Sequence, residues 1–285
     1  MPSRSLIQKK QSTLNLNLHL KHPALISRNQ IKYYTSLKKK KVRELERKFI
    51  VEGLRLCEEI FNSEYEFEKL IYCPAKISSE RANHFIEKCK GAGIPNEEAD
   101  TKSLKQVSDT VHSQGILGIV NMQHFCLEQL MANSPKHLIA LDNINDPGNL
   151  GTIIRSASWF GANGVLLSQN SVEFTNPKVV RASMGSLFHL PILQQLDLYK
   201  ELCKLSELGY SLLVADTGGD IEFTQADFSH KWILVFGNEI SGVSEEIKGI
   251  ASGILNIPRK GRGESLNVAV SAGIILAETL RANKN

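Results

Sequence analysis

No part of this 285-residue chain is apolar for the roughly 18 consecutive residues that a helix needs to cross a bilayer. The longest apolar runs, such as Trp232–Phe236 and Ile274–Ala277, are of core size, so no membrane partner is expected. Cysteine is scarce: Cys57, Cys73, Cys89, Cys126 and Cys203 form no CxxC and have no histidine at zinc-finger spacing. An odd, irregular set of thiols excludes a disulfide framework and suits a reducing compartment such as the cytoplasm. The eight histidines are scattered, and no metal is expected. Two nucleotide signatures are also missing. There is no Gly-Lys-Ser/Thr phosphate loop, and no GxGxxG turn of the kind that holds a dinucleotide.

Acid is absent from the first 43 residues, which carry eleven Lys and Arg, from Arg4 to Arg43. The remainder holds 23 of the 34 basic residues against all 30 acidic ones, so a strongly basic segment precedes a mildly acidic body. Such a segment suits a polyanion, because each phosphate contact releases counterions without reading sequence. A solvated tail with no partner is the plainer reading. Residues 1–27, with Ser, Arg and Leu and no acid, also fit a mitochondrial or plastid transit peptide, although Lys dominates over Arg.

Hydrophobic residues make up 42% of the chain, enough for a sizeable core, and the length suggests two domains. Residues 1–28 are expected as a disordered basic arm. Residues 29–120 read as a small α/β domain. In it a helix is expected around Leu37–Phe49, strands at Phe49–Val51, Leu70–Tyr72 and Gly115–Val120, and helices after Leu54, over Ile77–Lys90 and over 101–109. Residues 121–136 read as a linker. Residues 137–285 alternate strand and helix: strands at His137–Leu141, Gly164–Leu167, Leu187–Leu190, Tyr210–Ala215, Trp232–Phe236 and Gly253–Ile257, and a long final helix over Asn267–Arg281. That alternation implies a parallel sheet covered on both faces.

Three loops at strand ends have compositions unlike plain connectors, and such ends are where parallel sheets bind ligands. Leu141–Gly151 contains Asp146-Pro147-Gly148-Asn149, a turn signal with Asn149 placed to cap a helix. In that helix Ile153, Ile154, Ala157 and Phe160 form the buried stripe and Arg155 projects away from it. Phe236–Gly242 runs from an apolar strand into Gly237, Asn238 and Glu239, with Gly237 leaving room for a ligand at the backbone and Gly242 permitting a sharp turn. Ile257–Asn267 holds two glycines and three cations before the last helix, with Ser265 as a candidate cap. Taken singly, each is also a cap or a surface loop.

Together, and in this order, they resemble the three signature motifs of the SpoU class of SPOUT RNA methyltransferases, also called the TrmH family. Asp146–Gly151 with Arg155 resembles the first, Val235–Glu239 with Gly242 the second, and Ile257-Pro258 with Ser265–Val268 the third. Ala182–Ser186 and Leu190-Pro191 resemble a stretch found between the first two. The resemblance spans about 137–282, with Arg259 standing where an apolar residue is common. Phe49–Gly53 and Gln114–Gly118 are similar to the small substrate-binding domain that precedes the catalytic domain in ribosomal RNA members.

That resemblance implies a deep trefoil knot and a homodimer, with the last helix and the first-motif region near the interface; small residues Ala269, Ser271, Ala272 and Gly273 would let helices approach there. It implies S-adenosylmethionine as cofactor, held by Gly237, Ile257 and Leu266 largely through backbone groups. It also implies methylation of a ribose 2′-hydroxyl in RNA. Arg155 is the residue the family assigns to activating that hydroxyl. A guanidinium stays protonated, so an orienting cation that binds phosphate and stabilises the developing alkoxide is the physically preferred role. Asn149, Glu239, Ser265 and Asn267 would orient Arg155 and the ribose. Ribosomal RNA is the favoured substrate. The alternatives are a tRNA 2′-O-methyltransferase and a non-catalytic RNA-binding ribosome-assembly protein on the same fold.

Overall fold

A computed structural model describes residues 24–282. The stretch 1–28, expected as a disordered arm, lies mostly outside this range, but its end is ordered. Strand β1 (Ala24–Leu25) is followed by Ser27, which caps helix α1 (Arg28–Ser36). Ser27 Oγ accepts the Gln30 N–H at 3.3 Å while Gln30 Oε1 accepts the Ser27 N–H at 2.9 Å, so two orphan donors are satisfied reciprocally. The helix expected around Leu37–Phe49 is instead broken. Leu37 turns into the core, α2 spans Lys40–Glu46, Arg47 ends it at φ 52°, and β2 (Lys48–Glu52) begins at once.

The first domain continues with α3 (Leu54–Phe61), β3 (Phe67–Tyr72), α4 (Glu80–Gly91), β4 (Asn96–Glu98), α5 (Thr101–Val107) and β5 (Ile116–Asn121). Its five strands lie in the order β1-β4-β3-β5-β2, parallel across β1-β4-β3 and antiparallel across β3-β5-β2. Strand β4 has no apolar residue. It forms because its backbone is paired on both sides and because buried Glu97 receives Gln30, Tyr34 and Lys69 as donors.

After α6 (Leu127–Ala132) come β6 (His137–Asp142), α7 (Pro147–Trp159), β7 (Gly164–Ser168), α8 (Pro177–Ala182), β8 (Ile192–Leu196), α9 (Leu198–Glu207), β9 (Ser211–Ala215), β10 (Ile221–Glu222), β11 (Trp232–Gly237), α10 (Glu245–Gly249), β12 (Gly253–Asn256) and α11 (Val268–Ala282). The seven strands pair entirely in parallel in the order β10-β12-β9-β11-β6-β7-β8. β7 and β11 are buried along their whole length, which explains why both read as unbroken apolar runs. The strand expected at Leu187–Leu190 is a 3₁₀ turn over Ser186–Phe188, and the strand follows at Ile192. Leu187, Phe188 and Leu190 are buried all the same, so their apolarity reflects docking rather than strand pairing.

That turn joins the two domains. Phe188 stacks on Phe49 (centroids 6.4 Å apart) and meets Tyr65 edge-on (5.3 Å), and one apolar core runs through all three. Each such aromatic pair adds about 0.5–1.5 kcal/mol beyond simple burial. Polar links flank the aromatic contact: Arg181 to Asp109 at 2.9 Å, His189 to Glu59 at 2.9 Å, and a buried pair of Arg43 with Glu173.

Candidate active site

The carboxyl ends of β6, β11 and β12 carry the three loops singled out in the sequence. Helix α7 opens with Asp146 as its N-cap, the carboxylate accepting the Asn149 N–H at 2.8 Å, and Pro147 at its first position. Asn149 is therefore not the cap that its position suggested. With the cap role taken by Asp146, its side chain is free to leave the helix. Its amide nitrogen donates to Glu239 in the loop after β11, and its oxygen accepts the Asn267 amide at 2.9 Å. Asn267 Oδ1 in turn accepts the N–H groups of Ala269 and Val270, at 2.9 and 3.3 Å, and so caps α11 in place of Ser265.

A second polar layer adjoins this cluster, and its Asp142, Ser168, Ser171 and Ser244 were not among the residues singled out in the sequence. Buried Asp142, at the end of β6, accepts the Asn143 side-chain amide (3.0 Å) and the Ser244 N–H (2.9 Å), tying the first loop to the start of α10. Asn143, at φ 56°, offers its carbonyl to Asn238 Nδ2 at 3.0 Å, while Asn238 Oδ1 closes the turn onto Ile240 N at 2.9 Å. The hydroxyls of Ser168 and Ser171, 3.0 Å apart, take the N–H groups of Asn143 and Ile144. The run of three asparagines at 143, 145 and 149 was the only local hint that this loop is built from side-chain hydrogen bonds.

Gly237 is buried, but for a different reason than room for a ligand. A side chain there would collide with the backbone of Gly242 and Val243, which folds back through the Asn238–Gly242 bridge; Gly242 adopts φ 67°. On the neighbouring strand, burial pushes the Asp216 carboxyl up, but hydrogen bonds from Lys248 (2.8 Å) and the Gly218 N–H outweigh it and leave it below its ordinary range. Residues 258–267 are exposed throughout; Arg259 donates to the Gly263 carbonyl at 2.9 Å, and Asn267 anchors the end of the segment. Ile257 is half-buried and Leu266 is 49% exposed. Ser265 and Arg155 are both exposed, and neither forms a hydrogen bond or ion pair with another described residue. The structure thus brings Asn149, Glu239 and Asn267 together, packs Gly237 against Gly242 and Val243, and leaves the side chains of Arg155 and Ser265 without partners among the described residues.

Arg155 stands on the face of α7 opposite its buried stripe. Ile153, Ile154 and Ala157 fill the core, and Gly151 lets the helix lie against α8, where an added Cβ would come within 2.7 Å of the Val179 carbonyl. The charge is thereby anchored by its helix rather than by a partner. A guanidinium with no side-chain partner can bind a phosphate and stabilise negative charge on a nearby oxygen. Among the described residues no group of His, Cys, Asp and Glu could hold a metal, and no helix is long and apolar enough to cross a membrane.

Residues 136–277 match the SpoU rRNA Methylase family, and residues 28–118 match the MRM3-like substrate binding domain. An uncharacterized tRNA/rRNA methyltransferase of Mycobacterium ulcerans is 30% identical over 212 residues, which cover 73% of this chain and 68% of that protein. The crystal structure of an AdoMet-bound rRNA methyltransferase from Sinorhizobium meliloti is similar with a TM-score of 0.79 at 28% identity, over 90% of this chain and 96% of that one. A solved RNA 2′-O ribose methyltransferase is similar with a TM-score of 0.78 at 25% identity, over 92% and 99%.

Proposed function

The chain belongs to the SpoU family of RNA methyltransferases, and on that premise we propose that it methylates a ribose 2′-hydroxyl in RNA, ribosomal RNA in preference to transfer RNA. The observation that carries this reading is Asn149 bridging Glu239 and Asn267, with the unpaired Arg155 on the same helix. The likeness to an RNA 2′-O ribose methyltransferase over nearly its whole length supports it, as does the preceding substrate-binding domain for ribosomal RNA.

The cofactor is S-adenosylmethionine, the ligand bound in the Sinorhizobium meliloti enzyme. When bound it supplies an electrophilic methyl group on a sulfonium. The residues present fit it. Gly237, Ile257 and Leu266 would offer backbone donors and acceptors, and Ile257 and Leu266 add the apolar side chains that an adenine ring requires.

The protein's own groups then have separable tasks. Arg155 would hold the phosphate beside the target ribose and stabilise the negative charge that grows on O2′ as its proton passes to water. Glu239 and Asn267, cross-linked through Asn149, hold the ribose at a fixed distance from Arg155, and Ser265 joins them from the exposed segment 258–267. Two further parts of the reading concern assembly. The exposed Trp159 (82%) on α7, with exposed Val270 and Leu280 on α11, supports a homodimer formed across these two helices. The last strand, β12, lies between β9 and β10, which supports the trefoil knot.

The test is transfer of labelled methyl from S-adenosylmethionine to total RNA from cells lacking the protein, followed by digestion to nucleosides. Label in 2′-O-methyl nucleosides of ribosomal RNA is expected. Label on a base, or in transfer RNA alone, would overturn the finer assignment; no transfer would favour a non-catalytic RNA-binding role.

A further inference from the structure

Arg43 is the last cation before the first acid of the chain, yet it does not face solvent. Its side chain is 3% exposed and that of its partner Glu173 is 7% exposed. One guanidinium nitrogen pairs with Glu173, and the other donates to the carbonyls of Leu37 and Lys38, at 2.9 and 2.7 Å, just past the end of α1. Removing two charges from water is expensive, and two apolar residues could close the same junction. What the pair has that apolar packing lacks is a directed connection.

Glu173 is the third residue of a short buried segment that is bonded to the first catalytic loop. Val172 N–H donates to the Ile144 carbonyl at 2.8 Å, and Ser171 Oγ accepts the Ile144 N–H at 3.1 Å. Ile144 is fully buried and lies two residues before Asp146, the cap that sets Asn149 at the start of α7. Its neighbour Asn143 holds Asn238, next to Glu239. The path from the small domain to the catalytic cluster is thus made of bonded backbone and short side chains, with no flexible group between Glu173 and Ile144.

We propose that Arg43 is a positioning residue for the methyl transfer, acting through Glu173 to fix residues 171–173 and, through them, the loop 142–146. The inference rests on the reading that this loop carries the site. It assigns the N-terminal domain a second task besides binding substrate: it completes the support of a catalytic loop that lies in the other domain. Arg43 is consequently not one of the cations available to phosphate.

The Arg43→Met/Glu173→Leu double variant removes both charges together and leaves no unpaired charge in the interior. The probe is methyl transfer to total RNA from cells lacking the protein. With thermal unfolding still cooperative and adenosylmethionine affinity unchanged, kcat is expected to fall at least about tenfold with little change in KM for RNA, the signature of a misplaced group rather than lost binding. Amide exchange over 142–150 is expected to quicken at the same time. Glu173→Gln keeps a neutral acceptor but leaves the buried Arg43 charge without a counter-charge, so it is expected to lower kcat and quicken exchange at least as much as the double variant. A folded double variant with wild-type kcat and exchange overturns the proposal, as does a folded Glu173→Gln variant with both unchanged. Should the double variant not fold, Arg43→Lys, which lacks the fork that reaches Leu37, Lys38 and Glu173 at once, decides by the same two readouts. An inactive wild type would refute the reading of the site, and the exchange measurement would still judge the link on its own.

Discussion

Asn267 donates its amide to the side-chain oxygen of Asn149 at 2.9 Å while its own oxygen caps helix α11. The cap fixes which end of the Asn267 amide faces Asn149, since only an oxygen can accept the Ala269 N–H. Asn149 must then present its oxygen to Asn267 and its nitrogen to Glu239. The polarity of the whole cluster is set by a helix terminus.

This order gives a sharp expectation for substitutions at Asn149. Asn149→Asp keeps an acceptor for Asn267 but places a carboxylate against Glu239, whereas Asn149→Ala loses both links. Each is expected to lower single-turnover methylation by about 10²-fold or more, with the aspartate variant no better than the alanine one. An aspartate variant with near-normal turnover would show that the contact with Glu239 is idle.

Arg155 tests the electrostatic role against proton abstraction. Arg155→Lys lacks the planar fork and is expected to lose about 10²-fold or more at every pH, with adenosylmethionine affinity nearly intact. A general base would instead leave the lysine variant with activity that rises with pH, and a surface arginine would leave both Lys and Ala variants at wild-type turnover. Single-turnover rates across a pH series separate the three.

The basic N-terminal segment calls for a shorter deletion than its charge pattern suggested. Arg43 is buried, Lys38 is bonded to the Gln106 and Ser108 carbonyls, and Arg28 and Lys32 lie in a folded helix. Deleting residues 1–22 removes Arg4, Lys9, Lys10 and Lys21 and spares these elements. The slope of log affinity for RNA against log salt is expected to become shallower by up to about 3, at 0.7–0.9 per lost phosphate contact, while turnover at saturating RNA changes little. An unchanged slope would make the segment an idle tail or a targeting peptide.

Acid is expected to weaken the fold through His137. Burial, with Lys136 beside it, holds this imidazole below its ordinary 6.5, and the ring stacks on Trp232 at 4.5 Å. The unfolded chain takes up the proton first as pH falls. The stabilisation is therefore complete above about 6.5 and is lost as pH drops through the lowered native value. The thermal midpoint should decline as pH falls below about 6.5, and that of His137→Phe, which retains the stack, should decline less. Equal declines would assign the effect to other groups.

Most of the catalytic domain could be read from the chain because its parallel strands are buried on both faces. Gly164–Ser168 and Trp232–Gly237 are apolar runs with clear ends. Strand β4 could not, since Asn96-Glu97-Glu98 owes its state to backbone partners and to donors at residues 30, 34 and 69. The site divides in the same way. Its residue types and order were visible, and the resemblance gave them roles. The caps were misread because Asp146 and Asn149 are equally good caps locally, and the choice between them is made by Glu239 and Asn267, which lie 90 and 118 residues away. Arg43 looked like one more charge in a basic run, and nothing within reach of it in sequence announces Glu173.

The position of β12 has a consequence for how the protein is made. It is the last strand, and it lies inside the sheet, hydrogen-bonded to β9 on one side and β10 on the other. Until the ribosome has delivered residues 253–256, β9 has an open edge and β10 has no strand neighbour in this sheet. The segment that follows carries Ile257, Leu266 and Asn267, so the residues proposed to hold the cofactor and the amide that orders Asn149 arrive later still. A nascent chain can bury much of its core early, but the proposed site stays incomplete until residues 257–267 have been made, and a messenger cut short after β11 would yield a sheet whose β9 edge is left open.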